Sequence, residues 1–421
     1  MGPTGFGEGI VIARQAFRPA LAVPEFRRLW VADLQSYLGD QLARVALAVL
    51  VYDRTHSGLA TSVVYALTYL PALLGGLVLG GLADRFPRRT VLVASDSTRA
   101  VLLAAMALPG VSTPGIAILL SFSVLMGGLF NTAESAVVAD IVEGEAFTAA
   151  TGLRNVTGQV AQLLGFAVGG AAVAAFGTRP ALLLDAATFV ISAVVLRTGL
   201  RNRPAARSAG SDLGGPSAGR SGRLIWRTIQ VLYAQPTLRH LLALAWVGGV
   251  FIVAEGLAAP FVRQHGGGPA STGLLLAAAP AGMALGSLLF IRHFGPRRRA
   301  VVAAPLAVLA ALALVGYPLA SAIPIAMILL FLNGFFSAYQ VQVIAEFVPA
   351  VPAEIRGQAI GIGSSGLVAV QGVALLVGGL VAEAVGVTVA VSTAGLGCLL
   401  VALYLCVARS RARDDRGLST R

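Results

Sequence analysis

Long apolar runs recur along the whole chain, and they constrain its fold more than any other feature. The 421 residues are 57% hydrophobic and only 12% charged, whereas a soluble domain carries roughly 25% charged residues. A helix of about 20 apolar residues crosses a hydrocarbon core about 30 Å thick. Because backbone groups in lipid must be hydrogen-bonded internally, each run is expected to form a helix. A large soluble helical protein is disfavoured, since it would need charged faces between its apolar stripes.

The runs predict twelve membrane-spanning helices in two sets of six. The predicted spans are 28–51, 58–82, 90–109, 115–136, 153–176, 180–199, 239–262, 271–293, 300–318, 323–346, 358–384 and 388–408. The predicted domains are a cytoplasmic N-terminal segment (1–27), a six-helix bundle (28–199), a cytoplasmic linker with an amphipathic helix (200–237), a second six-helix bundle (238–408) and a cytoplasmic tail (409–421).

The positive charge follows the loops. The net charge is +12, and every basic residue apart from the four histidines is arginine. The arginines cluster in alternate loops, and the loops between those clusters hold only Arg54, Arg179 and Arg263. Arginine-rich loops face the cytoplasm, so both termini are predicted to be cytoplasmic in a multi-pass protein of the cell membrane. This placement argues against a nucleic-acid partner.

The linker contains one amphipathic stretch. Residues 200–223 are rich in Arg, Gly, Ser and Pro and are typical of a flexible connector. Residues 224–235 then follow a helical stripe, with Arg223 and Arg227 off it. The apolar members of the stripe are Leu224, Ile225, Ile229, Leu232 and Tyr233. Two interpretations stay open: a helix on the inner membrane surface, or a helix packed on the cytosolic face of the protein itself.

The two sets of spans resemble each other in sequence. Asp140-Ile141-Val142 and Glu346-Phe347-Val348 end the fourth and tenth spans, at a shift of 206 in residue number. The segments 169–177 and 378–386 share their glycines at a shift of 209. Internal duplication of six spans builds transporters with a central site between the halves. We therefore predict an all-α membrane protein with twelve transmembrane helices in two pseudo-symmetric six-helix bundles.

A basic turn joins the second and third spans. It reads Gly80-Gly81-Leu82-Ala83-Asp84-Arg85-Phe86-Pro87-Arg88-Arg89. Gly80, Asp84, Arg85, Arg88 and Arg89 resemble the signature loop of the major facilitator superfamily, with Pro87 where that family usually has glycine. The resemblance implies the major facilitator fold and secondary transport. The copy in the second half keeps its arginines but has Phe290 in place of the acid.

Further residues point to one branch of that family. Asp96 and Arg99 resemble the Asp-x-x-Arg that follows this loop in the drug-efflux and siderophore-export branch, which includes macrolide-efflux proteins and the enterobactin exporter. With the loop they are expected to form a cytoplasmic gate, whose members are Gly80, Asp84, Arg85, Arg88, Arg89, Asp96, Arg99, Glu134 and Asp140.

The fifth span carries a glycine pattern. Gly152, Gly165, Gly169 and Gly170 keep the spacing of the exporter signature of this family, while Ala161 and Phe166 replace a glycine and the proline. The resemblance implies antiport. Generic packing of small residues is the alternative, since such residues let helices approach closely.

The first span carries the densest set of polar residues. Asp33, Ser36, Tyr37, Asp40 and Arg44 lie on one helical face, although a charge inside a span costs about 2.5–3.5 kcal/mol. Asp40 and Asp33, together with Glu255 of the seventh span, are the candidates for proton coupling. Ser36, Tyr37 and Arg44 are candidates for lining a substrate cavity. A structural Asp40–Arg44 pair at i, i+4 is the competing interpretation.

The function predicted from these features is proton-coupled export of a small apolar organic compound by alternating access, as in multidrug-resistance antiporters. An importer or a lysophospholipid-type flippase on the same fold, and a non-transporting scaffold or sensor, are the alternatives. The chain contains no lysine, which excludes a Walker-type ATP site. No enzyme activity, metal or cofactor is predicted. The expected partners are a small-molecule substrate, a proton and the lipid bilayer, with the protein a monomer.

Overall fold

The described chain is built almost wholly of helices. The computed structural model describes residues 17–203 and 218–418, with no β-strand among them. The helices are α1 (Pro24–Thr55), α2 (Gly58–Ala66), α3 (Leu70–Arg85), α4 (Arg88–Met106), α5 (Thr113–Ile141), α6 (Gly144–Phe176), α7 (Thr178–Gly199), α8 (Ala218–Ala234), α9 (Pro236–Val250), α10 (Ile252–Gly256), α11 (Ala258–Gln264), α12 (Pro269–His293), α13 (Pro296–Val315), α14 (Ile323–Phe336), α15 (Tyr339–Ala350), α16 (Arg356–Val385) and α17 (Val387–Leu418).

The all-α membrane fold is confirmed. Within the described residues, ten helical stretches are long and apolar enough to cross a membrane. They coincide with the second and the fourth to twelfth predicted spans. The first and third predicted spans form α1 and α4, of 32 and 19 residues. Since an α-helix rises by about 1.5 Å per residue, these two helices are also of membrane length, but they carry charged side chains.

Three of the predicted spans are interrupted, which their apolar composition did not predict. The second span breaks between α2 and α3, the seventh at Phe251 and again at Leu257, and the tenth between α14 and α15. Residues 67–69 form a turn before Pro71, which lies in the first turn of α3, where proline is tolerated. Non-helical backbone at membrane depth is stable only where protein or a water-filled cavity surrounds it.

The helices form two compact units. Unit 1 comprises Met1–Ala46 and Pro71–Asp212, and unit 2 comprises Leu47–Leu70 and Leu213–Arg421. The predicted bundles divide the chain at the linker alone, whereas packing groups residues 47–70 with unit 2. The reason is local: the α2 residues Leu59 and Ser62 lie directly against Gly379 of α16.

Glycines at corresponding positions hold two helix pairs together. In unit 1, Gly75 of α3 faces the Leu125 carbonyl and the Cα of Gly128 in α5. In unit 2, Gly282 of α12 faces the backbone of α14, and Gly334 of α14 faces the backbone of α12. A side chain at these glycines would meet backbone atoms. Gly282 and Gly334 match Gly75 and Gly128 at the shift of the sequence repeat, to within a single position, so the close packing is repeated with the sequence.

Two further glycines end helices in the same manner. Gly177 follows α6 with φ 87°, and Gly386 follows α16 with φ 95°. This left-handed region costs a residue with a Cβ but not glycine. The two positions are the last residues of the segments 169–177 and 378–386, which the sequence repeat aligns with each other.

Candidate functional site

The first of two buried charge clusters in unit 1 joins three helices. Arg154 of α6 forms an ion pair with Glu134 of α5, and its Nε lies 3.6 Å from Oδ2 of Asp33 in α1. Glu134 is 0% and Asp33 3% exposed. Tyr37 lies within hydrogen-bonding reach of Arg154. One guanidinium group therefore faces two buried carboxyl groups from different helices.

The glycine pattern of the fifth span brings Arg154 to this position. A Cβ on Gly165 would lie 2.7 Å from Cβ of Gln41, and one on Gly169 would lie 2.8 Å from Cα of Leu42. Helix α6 therefore packs closely on α1, and the Trp30 indole donates a 2.7 Å hydrogen bond to Thr157 in the same interface. Gly170 is buried, and Gly152 lies beside Phe17. The packing role of these glycines is visible in the contacts, and antiport stays a prediction.

The second buried cluster is centred on Arg99 of α4. Its Nη2 lies 2.7 Å from Oδ1 of Asp40 in α1, and its guanidinium carbon lies 3.9 Å from the centre of the Phe189 ring in α7. Such a cation–π contact is worth about 2 kcal/mol when it is desolvated. Asp185 of α7 is close enough to interact electrostatically with both Asp40 and Arg99.

Two further carboxylates of this cluster are held by hydroxyl groups. Ser192 donates a 2.5 Å hydrogen bond to Oδ2 of Asp96, and Thr188 donates a 3.2 Å hydrogen bond to Oδ1 of Asp185. Asp185 packs against Gly39, where no larger residue would fit. The small residue next to Asp40 thus lets α7 bring its own carboxylate to the cluster.

Carboxyl groups outnumber cationic groups in the two clusters. Five carboxyl side chains face Arg99 and Arg154, with Arg44 one turn further along α1 from Asp40. Among the described residues, Oε1 of Glu134, Oδ1 of Asp96 and Oδ2 of Asp185 have no hydrogen-bond partner. Burying an unpaired charge is costly, so these oxygens would be expensive to keep ionised.

The predicted face of α1 divides between the clusters. Asp33 and Tyr37 lie in the first cluster and Asp40 in the second. Ser36 is buried, with no hydrogen-bond partner for its hydroxyl among the described residues. The alternative prediction paired Asp40 with Arg44. The structure gives Asp40 an ion pair with Arg99, and Arg44 donates a 3.2 Å hydrogen bond to Gln41.

The basic turn fastens the ends of neighbouring helices. Arg88 forms an ion pair with Asp140 and donates a 3.0 Å hydrogen bond to the Ala136 carbonyl of α5. Arg89 donates to the carbonyls of Arg197 and Leu200, at 3.3 and 3.2 Å, at the end of α7. Arg89 thereby satisfies carbonyls that the end of α7 leaves without partners.

The residues predicted for a cytoplasmic gate lie in two places. Arg88, Arg89 and Asp140 meet at the basic turn, and Arg85 is exposed there. Three further members, Asp96, Arg99 and Glu134, lie in the two charge clusters. The Gly80 position and the Asp84 side chain are outside the part of the structure that is described.

Unit 2 holds its charged residues in a different setting. Glu255 lies in the short helix α10 between the two interruptions and accepts a 3.1 Å hydrogen bond from the Tyr65 hydroxyl. Arg263 holds Asp53 by two hydrogen bonds of 2.9 and 2.7 Å. Glu383 accepts a 2.9 Å hydrogen bond from Ser57. These contacts all lie at the end of unit 2 that the charge bias predicts to face outside.

Sequence reasoning missed several residues of these sites. Arg154 lies at the start of the predicted fifth span and Asp185 near the start of the sixth, and neither was among the predicted site residues. Tyr65 carried no signal apart from being an aromatic residue in an apolar run. One signal was available for Arg154. It lies at the start of the predicted fifth span, but the helix α6 begins at Gly144, so Arg154 is in the helix interior.

The sequence matches the profile described as Major Facilitator Superfamily over residues 29–350. It is 26% identical over 404 residues to the uncharacterized MFS-type transporter YfiS of Bacillus subtilis strain 168, which covers 92% of this chain and 93% of that protein. It is also 28% identical over 176 residues, 41% of each chain, to the uncharacterized MFS-type transporter YkuC of the same organism.

Solved structures with the same fold are transporters. A bacterial homologue of the human lysosomal transporter Spinster, inward-facing and unoccupied, has a TM-score of 0.72 at 15% identity, covering 92% of this chain and 97% of that one. A peptide transporter POT in complex with alafosfalin has a TM-score of 0.69 at 14% identity, covering 94% and 98%. At such identities the likeness establishes the fold alone.

Proposed function

Because the chain belongs to the major facilitator superfamily, we propose that it is a proton-coupled exporter of a small apolar organic molecule. It is an integral membrane transport protein and not an enzyme. The resemblance of the basic turn to this family is confirmed by the profile match, and the efflux branch within the family is part of the proposal. Alternating access between an inward-open and an outward-open state is the proposed mode of transport.

The buried charge clusters of unit 1 are the observation that carries the proposal. Their carboxyl groups outnumber the nearby guanidinium groups even when Arg44 is counted. Excess negative charge between helices in a membrane has a high desolvation cost. Each proton bound to a carboxylate lowers this excess by one charge, so proton occupancy can bias two conformations of different free energy.

Arg99 is the proposed centre of the coupling step. It contacts Asp40 and lies near Asp96 and Asp185. A proton on Asp40 would remove the negative charge that holds Arg99 to α1, and the arginine would then favour the carboxylates of α4 and α7. Because α1, α4 and α7 are separate helices, this exchange of partners would change the force between them.

Other residues have proposed roles around that step. Asp33 shares Arg154 with Glu134 and is the second site for a proton. Ser36, Tyr37 and Arg44 are proposed to line the substrate path, and the Arg88–Asp140 pair is proposed to close the cytoplasmic end. Glu255, held by Tyr65, is the proposed acid of unit 2.

Infrared difference spectroscopy tests proton binding without a known substrate. Purified protein in lipid is taken from neutral to acidic pH, and the carbonyl stretch of protonated carboxylic acids is recorded. We expect Asp40→Asn to remove part of this band. Asp53→Asn is the matched control, because Asp53 lies on the same helix but in a half-exposed ion pair. An unchanged band in Asp40→Asn contradicts the role of Asp40.

A flux assay tests direction and coupling. The protein is oriented in vesicles, and the fluorescent lipophilic dyes ethidium and Hoechst 33342 are added from the predicted cytoplasmic side with an acidic lumen. Proton-coupled export predicts dye accumulation that collapses when the pH gradient is removed. Accumulation only with the gradient reversed would indicate an importer, and gradient-independent equilibration would exclude coupling. Asp40→Asn should lower the driven rate about tenfold or more, since a hydrogen bond to a charged group contributes about 1.5–3 kcal/mol.

A further inference from the structure

Helix α8 exposes an apolar stripe that the transport proposal does not use. Trp226 is 63%, Tyr233 47% and Ile225 45% exposed. Successive residues of a helix are rotated by about 100°, so Trp226, Ile229 and Tyr233 lie along one side, with Ile225 at the edge of that side. A single exposed apolar residue is ordinary, but a stripe with two amphipathic aromatic rings indicates a contact surface.

A second side of α8 is fixed to unit 2. Thr228 and Leu232 are both 0% exposed. The Thr228 hydroxyl donates a 2.8 Å hydrogen bond to the side-chain oxygen of Gln358 in the first turn of α16. The rotation of α8 about its axis is therefore set by unit 2, and the apolar stripe is held about a quarter turn away from the side packed on the protein.

The third side of α8 is polar. Arg227 and Gln230 are exposed, on the side of the apolar stripe away from Thr228. The helix thus has a protein side, an apolar side and a water side in order around its axis. A helix at the edge of a protein that lies along a boundary between lipid and water needs this order.

The position of α8 in the chain places it at such a boundary. Only Gln235 separates its last residue, Ala234, from α9, which is part of a membrane span. The charge is also suitable: residues 201–239 contain seven arginines and one acid, Asp212. Anionic lipids attract basic segments next to the membrane by about 1 kcal/mol for each Lys or Arg near the surface.

We propose that α8 binds the anionic phospholipid surface of the cytoplasmic leaflet. Trp226 and Tyr233 enter the region between headgroups and acyl chains, where aromatic rings with a polar edge are favoured, and Arg227 lies among the headgroups. Through the Thr228–Gln358 hydrogen bond, this contact anchors the first turn of α16 to the membrane surface. The inference is independent of the substrate, direction and coupling of transport.

Quenching of Trp226 fluorescence tests the contact. The full chain is reconstituted in phosphatidylcholine vesicles containing phosphatidylglycerol, with bromine atoms placed either near the headgroup end or near the tail end of the acyl chains. The difference between the wild type and Trp226→Phe isolates this indole from Trp30 and Trp246. We expect stronger quenching by the shallow bromines than by the deep ones, and little quenching by aqueous acrylamide.

A matched control reports the water side of the same helix. Ala234 is exposed about 80° from Trp226, so Ala234→Trp in a Trp226→Phe background should be quenched by acrylamide and hardly by bromolipid. If Trp226 behaves like this control, its side faces water and the proposal is wrong. If Trp226 is shielded from both quenchers, protein covers the stripe, and the proposal is equally wrong.

The anionic requirement has its own measurement. Replacing phosphatidylglycerol by phosphatidylcholine should reduce the bromolipid quenching of Trp226 by about twofold or more, and Arg227→Gln should reduce the dependence on phosphatidylglycerol. If neither change alters the bromolipid quenching of Trp226, the proposed role of anionic headgroups is wrong. The dye-flux assay can fail while this contact is present, so the two proposals fail separately.

Discussion

In unit 1 the side chains of Arg99 and Arg154 lie between helices and are 11% and 21% exposed; their partners Asp40 and Glu134 are 30% and 0% exposed. In unit 2 the ion pair of Asp53 and Arg263 is at the surface, with side chains 42% and 33% exposed. The interruptions of the helices, by contrast, lie in unit 2. The helices of unit 1 that carry the clusters are continuous, while in unit 2 the spans containing Glu255 and residues 337–338 are interrupted.

The two units share their glycine packing but differ in where their charged residues lie. Close glycine packing is found in both units: Gly75 faces the backbone of α5 in unit 1, and Gly282 and Gly334 face each other's helices, α14 and α12, in unit 2. A helix pair packed backbone to backbone tolerates no side chain at such positions. Buried charge is expensive in a membrane, so a second copy of the clusters in unit 2 would add to that cost. We infer that packing constrains both units equally, while the charged chemistry has become concentrated in unit 1.

The largest expected effect is in the first charge cluster. Arg154→Met leaves Asp33 and Glu134 buried without their cation, and breaking a buried pair from one side costs about 3–5 kcal/mol. The thermal unfolding midpoint of the purified protein should fall sharply. Adding Glu134→Gln to this variant should recover part of the loss. If Arg154→Met unfolds like the wild type, the cluster does not hold unit 1 together.

A smaller effect is expected at the glycine contacts and should be alike in both units. Gly75→Ala and Gly334→Ala each place a methyl group against a backbone carbonyl, and overpacking costs about 1–3 kcal/mol. Gly397→Ala is the control: nothing lies within 4 Å of its Cβ position, and alanine stabilises a helix by about 0.5–1 kcal/mol relative to glycine. An unfolding midpoint that falls for only one of the two contact variants would contradict the repeated packing.

The surface pair of unit 2 should contribute less than either. Arg263→Met removes both hydrogen bonds to Asp53, but exposed ion pairs are typically worth about 0–1 kcal/mol. Its unfolding midpoint should stay near that of the wild type, in contrast to Arg154→Met. If Arg263→Met lowers the unfolding midpoint as much as Arg154→Met does, buried and surface ion pairs contribute equally to stability and the contrast between the units is wrong.

The smallest expected effect is at the start of α1 and depends on pH. Burial raises the pKa of Glu25, but hydrogen bonds from Arg203 and the Arg201 amide outweigh it and leave that pKa below its ordinary value. A lowered pKa means a stabilisation that is complete at neutral pH and is lost as the pH falls through the acid range below about 4. Glu25→Gln should therefore destabilise slightly near pH 7 and not near pH 3, as measured by unfolding midpoints.

The extent of sequence-based prediction differs between helices and side-chain partners. The apolar runs located the ten stretches of membrane length, and the predicted fifth and eleventh spans end at 176 and 384, close to the helix-ending Gly177 and Gly386. The same reasoning placed Asp33, Tyr37 and Asp40 on one face of α1. It did not find the interruptions at 67–69 and at Phe251, because an apolar run has the same composition whether its helix is continuous or broken.

What the sequence by itself determined is the membrane class, the helix sequence and the family, because hydrophobic length and a local loop motif are properties of neighbouring residues. Only the tertiary structure decided which charges meet. Asp40 pairs with Arg99, 59 residues further along the chain, and Glu134 pairs with Arg154. Neither pair is local in sequence: the close packing of α1, α4, α5 and α6 sets which groups approach within hydrogen-bonding distance. In a low-dielectric interior, that distance decides how strongly two charges interact.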